Sequence, residues 1–388
     1  MYDRDQDYLM EDYGEVLARY EALVSQKRSG YFDVHEYELI FDHYYTHNHF
    51  KEAEELVTNA LVQHPSSTAL LIKQGQILVQ KGETARALDL TRFLSTVEAS
   101  NETLWMIEGS AYILEKLPEK AMECFLKAFE LSGRDEETGL QIAAAFEHMG
   151  EYHKSIHFLS GITATQPDSE QAWWELGICY EYTGQNEKAI QSYERFVALQ
   201  PLSESGWFNL GVLYNQEELY DKAIDAFENV LAIDPEFHTA AFNIGNALAN
   251  LDKHEEAIRV YQDFLQTDQG HALALYYIGE SYDQLELPDQ AFDYFLKATK
   301  ANPNLADAWY SMAGIRHEQQ NDYEALYFIG RAIKLEEDMA EYYLLQAMIY
   351  ESLEFTEDAI AALERVIQLE PDNEEAIQNL QKIKSTER

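Results

Sequence analysis

Apolar and polar positions along the chain recur every 34 residues from about residue 34 onward, and within each period they follow helical spacing twice. In residues 170–203, Trp173, Leu176, Gly177 and Tyr180 mark the inner face of one helix, and Ala189, Tyr193 and Phe196 that of a second. The polar stretch TGQNEK separates them. Gly184 is suited to end the first helix, Asn186 and Lys188 to open the second, and Pro201 to mark the boundary before the next unit. A column of small residues runs through Gly75, Gly109, Ala143, Gly177, Gly211, Gly245, Gly279, Ala313 and Ala347. A second column holds alanine from Ala53 to Ala359, broken by Ser155. Small residues at fixed offsets predict helices in close approach, with Trp173, Tyr180 and Tyr193 filling the space around the contact.

The pattern predicts an all-α solenoid of ten 34-residue helix-turn-helix units: 34–67, 68–101, 102–135, 136–169, 170–203, 204–237, 238–271, 272–305, 306–339 and 340–373. Residues 1–33 are expected to form an acidic N-terminal cap, with a helix over about 8–27. Its apolar stripe is Tyr13, Val16, Leu17, Tyr20, Leu23 and Val24. Residues 374–388 read as a C-terminal solvating helix, apolar through Ala376, Ile377, Leu380 and Ile383 and polar through Glu374, Glu375, Gln378, Lys382 and Lys384. Three units depart from the pattern. Phe41 in the small column predicts a looser first pair, and Gly139 with Ser155 a weak point or bend in the fourth unit. Arg316, where tyrosine usually packs, predicts a buried ion pair or an altered groove in the ninth.

The segments WWELGICY…KAIQSYERF…P (173–201), WFNLGVLY…KAIDAFENV…P (207–235) and LYYIGESY…QAFDYFLKA…P (275–303) resemble the tetratricopeptide repeat, in the manner of long bacterial arrays. The resemblance implies a right-handed superhelix of antiparallel helix pairs whose concave face binds peptides or protein segments. The residue after each tryptophan column, with those four and seven places on, faces away from the packing side. These columns place Trp174, Phe208, Phe242, Tyr276 and Tyr310 at one level, with Asn246 and Glu280 at the next and Glu181, Asn215 and Asp283 beyond. None of the three columns contains lysine or arginine in any unit. Rings and carboxylates in that pattern suit a Lys- or Arg-rich segment with apolar anchors, through stacking and cation–π contact. The competing reading is that the rings pack against the first helix of the next unit. Asn209 and Asn243 repeat at the same step, and Asn215, Asn246 and Asn250 are placed to hold a ligand's backbone, since an amide both donates and accepts.

Charge narrows the choice of partner. The 28 Lys and Arg against 70 Asp and Glu give a formal charge of −42, which opposes binding to nucleic acid and to anionic membrane surfaces. The opening MYDRDQDYLMEDY is acidic where a secretory signal is basic, so a cytoplasmic location without a leader or membrane span is expected. Cys124 and Cys179 lie a whole unit apart and read as reduced, buried thiols. His43 and His47, with His49 beyond, are the nearest approach to metal-ligand spacing, without a cysteine or a fixed pattern to support a site. His153 and His157 are a weaker pair of the same kind. There is no phosphate loop, HExxH, nucleophile elbow or CxxC, so neither catalysis nor a cofactor is expected.

Together these features predict a protein-interaction scaffold, monomeric or weakly dimeric through its terminal helices. Two alternatives remain open. One is a regulatory sensor that changes superhelix shape on binding a small molecule or signalling peptide; the other is an assembly protein acting through its ends.

Overall fold

The computed structural model describes residues 3–26 and 28–386, with the side chains of 14–26 and 28–385. Among the described residues there are 22 α-helices and no strand, so the chain is an all-α repeat array. It divides into two compact units, Met1–Leu199 and Gln200–Arg388.

The N-terminal unit holds α1 (Asp3–Ser25), α2 (Val34–Thr46), α3 (Phe50–Gln63), α4 (Thr68–Gln80), α5 (Thr84–Leu94) and α6 (Glu102–Leu114). It continues with α7 (Pro118–Leu131), α8 (Glu136–Glu147), α9 (Tyr152–Thr165), α10 (Glu170–Tyr182) and α11 (Asn186–Leu199). The C-terminal unit holds α12 (Glu204–Gln216), α13 (Tyr220–Ile233), α14 (His238–Asn250), α15 (His254–Thr267), α16 (Ala272–Gln284) and α17 (Pro288–Ala301). It ends with α18 (Ala306–Glu318), α19 (Asp322–Leu335), α20 (Ala340–Ser352), α21 (Thr356–Leu369) and α22 (Glu374–Thr386). From α2 to α21 the helices pair successively, a first helix with a second.

Each pair is closed by the same backbone device. The turn between its helices passes through one left-handed residue, at Asn48, Gly82, Lys116, Gly150, Gly184, Glu218, Asp252, Glu286, Gln320 and Glu354. These ten positions are 34 residues apart, and glycine, for which this conformation is unstrained, occupies three of them. Gly184 therefore ends α10 through its φ of 68°, in the manner its sequence position implies.

The small-residue column is explained by what lies on it. A Cβ added to Gly177, Gly211, Gly245 or Gly279 would stand 2.5, 2.7, 2.5 or 2.6 Å from the ring of Tyr193, Phe227, Tyr261 or Phe295 on the second helix of its own pair. Where the column holds alanine, at Ala143, Ala313 and Ala347, the facing position is Leu159, Ile329 or Leu363, all fully buried. Phe41 inverts the pair. Its ring is 1 % exposed and Val57 stands opposite, an exchange of large for small, and α2 and α3 approach each other over less of their length than most later pairs, as expected of a looser first pair. The fourth pair is closed within itself, while its first helix meets α7 over less surface than the other first helices of the N-terminal unit meet the pair before them, in keeping with the expected weak point. Gly139 lies against Ile162 and Phe129, and the buried Ser155 hydroxyl donates to Glu147 Oε1 at 2.6 Å.

Where the tryptophan column of a first helix holds tryptophan, the ring ties the pair to the loop before it. The Nε1–H of Trp173, Trp207 and Trp309 donates to the carbonyl of Pro167, Pro201 and Pro303 at 2.9, 3.1 and 3.0 Å. The first helices are capped in two ways. Asp33, Ser67, Asn101, Asp135, Ser169 and Ser203 accept a backbone N–H from the first turn. One unit later Phe237 provides no such bond, and neither do Leu305 and Met339.

At the ends, Val16 and Tyr20 of α1 are buried and Leu17 and Leu23 pack beside them, whereas Val24 is 53 % exposed and leaves the stripe. The Tyr13 side chain lies outside the described residues. On α22, Ala376 is buried and Leu380 and Ile383 pack against the last pair.

Candidate functional site

The N-terminal unit carries Trp174 and Glu181 on α10. Trp174 is half-buried, its ring 5.5 Å from Tyr193 and 5.0 Å from Phe196 of α11. The Tyr193 hydroxyl, beneath it, donates to Glu181 Oε2 at 2.5 Å.

Nine further residues lie in the C-terminal unit. Phe208 packs on Phe227 at 5.7 Å and Phe237 at 5.1 Å, and Phe242 on Tyr261 at 5.8 Å and Phe264 at 5.7 Å. Tyr276 meets Phe295 at 5.5 Å, and Tyr310 stacks on Tyr342 at 5.0 Å. All four rings are half-buried, so each is a packing group that keeps part of its surface accessible. The amides differ among themselves. Tyr261 donates its hydroxyl to Asn246 Oδ1 at 2.6 Å, and Asn250 is exposed. Asn215 Oδ1 is buried without a hydrogen-bond donor, because Phe227 stands where a tyrosine would bring a hydroxyl.

Glu280 and Asp283 form the acidic part of the site. Burial pushes the half-buried Glu280 above the usual carboxylate range; a hydrogen bond with Tyr276 opposes this, and Asp283 and Asp307 add to it. Partial burial also raises Asp283, with Glu318 contributing. Tyr276 is raised by burial and by Glu280 beside it. Among the described residues no cation forms an ion pair with Glu280 or Asp283. Asp307 and Glu318 extend the cluster, and Asp307 accepts a hydrogen bond from Tyr342 at 3.0 Å. Sequence columns taken from one face of the first helices missed Asp307, which lies in the opening turn of α18 and reaches the site from the following pair. Reading the second residue of each first helix alongside the other columns would have found it.

Several positive charges serve the packing columns. Lys120, Lys188 and Lys222 lie over Tyr112, Tyr180 and Tyr214 at 5.3, 5.4 and 5.1 Å. Lys127, Arg195, Arg331 and Arg365 cover Trp105, Trp173, Trp309 and Tyr343 at 4.0, 5.9, 5.2 and 5.6 Å. Arg316 lies 3.7 Å from the Phe292 ring centroid and pairs with Glu324 at 3.0 Å, so the irregular residue of the ninth unit forms a partly buried ion pair.

The remaining chemical candidates resolve locally. His43 and His47 sit ring to ring at 4.4 Å, and His47 Nδ1 bonds to the His43 carbonyl oxygen at 2.8 Å. Among the described residues no group of three or more His, Cys, Asp or Glu is arranged to hold a metal. Burial pushes the Cys124 and Cys179 thiols up to about 12, the direction of an unreactive thiol. A network not visible in the sequence joins His317 Nδ1 to Asp322 Oδ1 at 2.6 Å, and the Ser352 hydroxyl to Asp322 Oδ2 at 2.5 Å. Burial alone would raise Asp322, but these two hydrogen bonds hold it below its ordinary value. Among the described residues no helix is long and apolar enough to cross a membrane.

Sequence profiles described as tetratricopeptide repeat match residues 39–92, 103–135, 170–203, 205–237, 242–306 and 340–373, well over half of the chain. The chain belongs to the tetratricopeptide repeat family. The stretches 136–169 and 307–339, between matches, contain the departures at Gly139, Ser155 and Arg316. Similar solved structures include the C-terminal part of a tetratricopeptide repeat protein from Cytophaga hutchinsonii, 17% identical, covering 62% of this chain and 98% of that one with a TM-score of 0.51. MamA is 24% identical over 44% of this chain and 92% of its own, with a TM-score of 0.40. YrrB, described as having an unusual peptide-binding site, is 19% identical over 48% and 97%, with a TM-score of 0.41. No curated protein matches the chain in sequence.

Proposed function

We propose that this tetratricopeptide repeat protein is a non-catalytic interaction scaffold that binds a Lys- or Arg-bearing polypeptide segment. In the C-terminal unit the segment lies along the face of Phe208, Phe242, Tyr276 and Tyr310. The observation that carries this reading is the pair of half-buried Glu280 and more exposed Asp283, both held above their ordinary values and lacking a cation of their own. Several of the chain's lysines and arginines are instead engaged on aromatic rings, and others in ion pairs elsewhere. A ligand's basic side chain supplies the charge that the site lacks, and the accessible edges of the rings supply apolar and cation–π contact. Asn215, Asn246 and Asn250 hold backbone groups. Trp174 and Glu181 present the same pairing of ring and carboxylate in the N-terminal unit.

Because the rings also pack against the second helices, their replacement by alanine would confound binding with stability. The informative variant is Glu280→Gln with Asp283→Asn, probed on an array of peptides pairing aromatic anchors with basic, neutral or acidic residues. The wild type should retain the basic peptides, and the double variant should bind them at least about tenfold more weakly, with added salt weakening both. Selection of neutral or acidic peptides, or an unchanged double variant, would overturn the reading.

A further inference from the structure

The outward face of α19 differs from the acidic outward faces of α13 and α21. On α13 the outward positions are Asp221, Asp225 and Glu228, and on α21 they include Glu357 and Glu364, all exposed. The same positions on α19 are Tyr323, Tyr327, Gly330 and Lys334. Tyr323 is 71 % and Tyr327 60 % exposed, and a Cβ built on Gly330 meets nothing within 4 Å. A mid-helix glycine weakens the helix, and Gly330 has no internal neighbour that requires one. Lys334 has no ion pair among the described residues, whereas Arg331 lies over Trp309 and Glu324 is paired with Arg316.

The four residues occupy one narrow strip of the helix, since successive steps of four, three and four keep them on one side. They also form a palindrome: Tyr323 with Lys334, and Tyr327 with Gly330, share one midpoint between Phe328 and Ile329. Two such helices crossing antiparallel about that midpoint would seat each Tyr327 ring on the other copy's Gly330. Each Lys334 would then lie over the other copy's Tyr323. Both contacts repeat devices the chain uses internally, the ring over a glycine at Gly211 and Phe227 and the lysine over a tyrosine at Lys222 and Tyr214.

We infer that this face of α19 is a self-complementary surface whose occupant is a second copy of the chain, giving a twofold dimer through antiparallel α19 helices. Self-complementarity selects the place, and charge agrees with it, because a copy with a formal charge of −42 is repelled by the acidic outward faces of α13 and α21, whereas this strip carries tyrosines, a glycine and a cation. Sedimentation velocity at a salt concentration that screens the net charge tests the inference. The wild type should shift from monomer to dimer as concentration rises. Gly330→Leu should weaken that association by about tenfold or more while raising the thermal midpoint, since leucine fills the notch and favours the helix. Tyr327→Ser should weaken it similarly with helicity unchanged. A wild type that sediments as a monomer at every concentration, or a dimer equally strong in both variants, overturns the inference.

Discussion

At the scale of the residue, the structure is governed by pairwise exchange of volume between the two helices of a unit. Glycine faces a ring at Gly211 and Phe227, alanine faces an aliphatic side chain at Ala347 and Leu363, and Phe41 faces Val57. Gly211→Ala therefore forces a Cβ to within 2.7 Å of the Phe227 ring, and overpacking of this kind costs about 1–3 kcal/mol. Adding Phe227→Leu should recover much of that loss, reproducing the combination found at Ala347 and Leu363; urea unfolding of both variants measures the coupling. Glu280 gives a pH prediction whose sign follows from its raised affinity for a proton. The folded chain holds that proton more tightly than the unfolded chain. Glu280's contribution to stability therefore falls as pH rises through its folded-state value, and above that value its charge is a net cost. Glu280→Gln should be more stable than wild type near neutrality, and the difference should vanish in acid below the unfolded value. A variant less stable at neutrality would show that the Tyr276 hydrogen bond outweighs the burial.

At the scale of the element, the first helices divide into those with a side-chain cap and those without. Ser203 accepts a backbone N–H at the start of α12, whereas Met339, at the same place before α20, does not. Phe237 packs on Phe208 and so has a role that a serine there would lose. Met339 is 37 % exposed, and Met339→Ser should stabilise the chain by about 1 kcal/mol, read as a higher unfolding midpoint. Helix boundaries were legible in the sequence because glycine, proline and capping residues recur at fixed offsets around a strong helical period. The site was less legible, because periodicity identifies which residues share a face but not how deeply each is buried. Trp174, Phe208 and Phe242 are expected to face away from the packing side, yet each packs on the second helix of its own pair. The hydroxyls that reach Glu181 and Asn246 come from Tyr193 and Tyr261, whose places in the packing columns gave no sign of a polar role. The Asp322 network joins residues of α18, α19 and α20, a convergence that no single column contains.

At the scale of the whole molecule, the strongest electrostatic influence is the formal charge of −42. Lysines and arginines placed over rings stabilise packing locally, but the net imbalance of carboxylates over cations still opposes compaction. Raising ionic strength from roughly 0.01 M to 0.15 M shortens the screening length from about 30 Å to about 8 Å, and the thermal midpoint should rise with it. A midpoint that fell would mean that attractive pairs such as Lys73 with Asp42 outweigh the repulsion.

The left-handed residue that recurs every 34 positions, from Asn48 to Glu354, also bears on how such a chain changes length. One residue gained or lost beside that turn would rotate the following helix by about 100° and carry its ring away from the facing glycine. A whole unit gained or lost leaves every turn, cap and ring in place. Viable length variants of this protein should therefore differ by complete repeats, and its size is inherited in discrete steps.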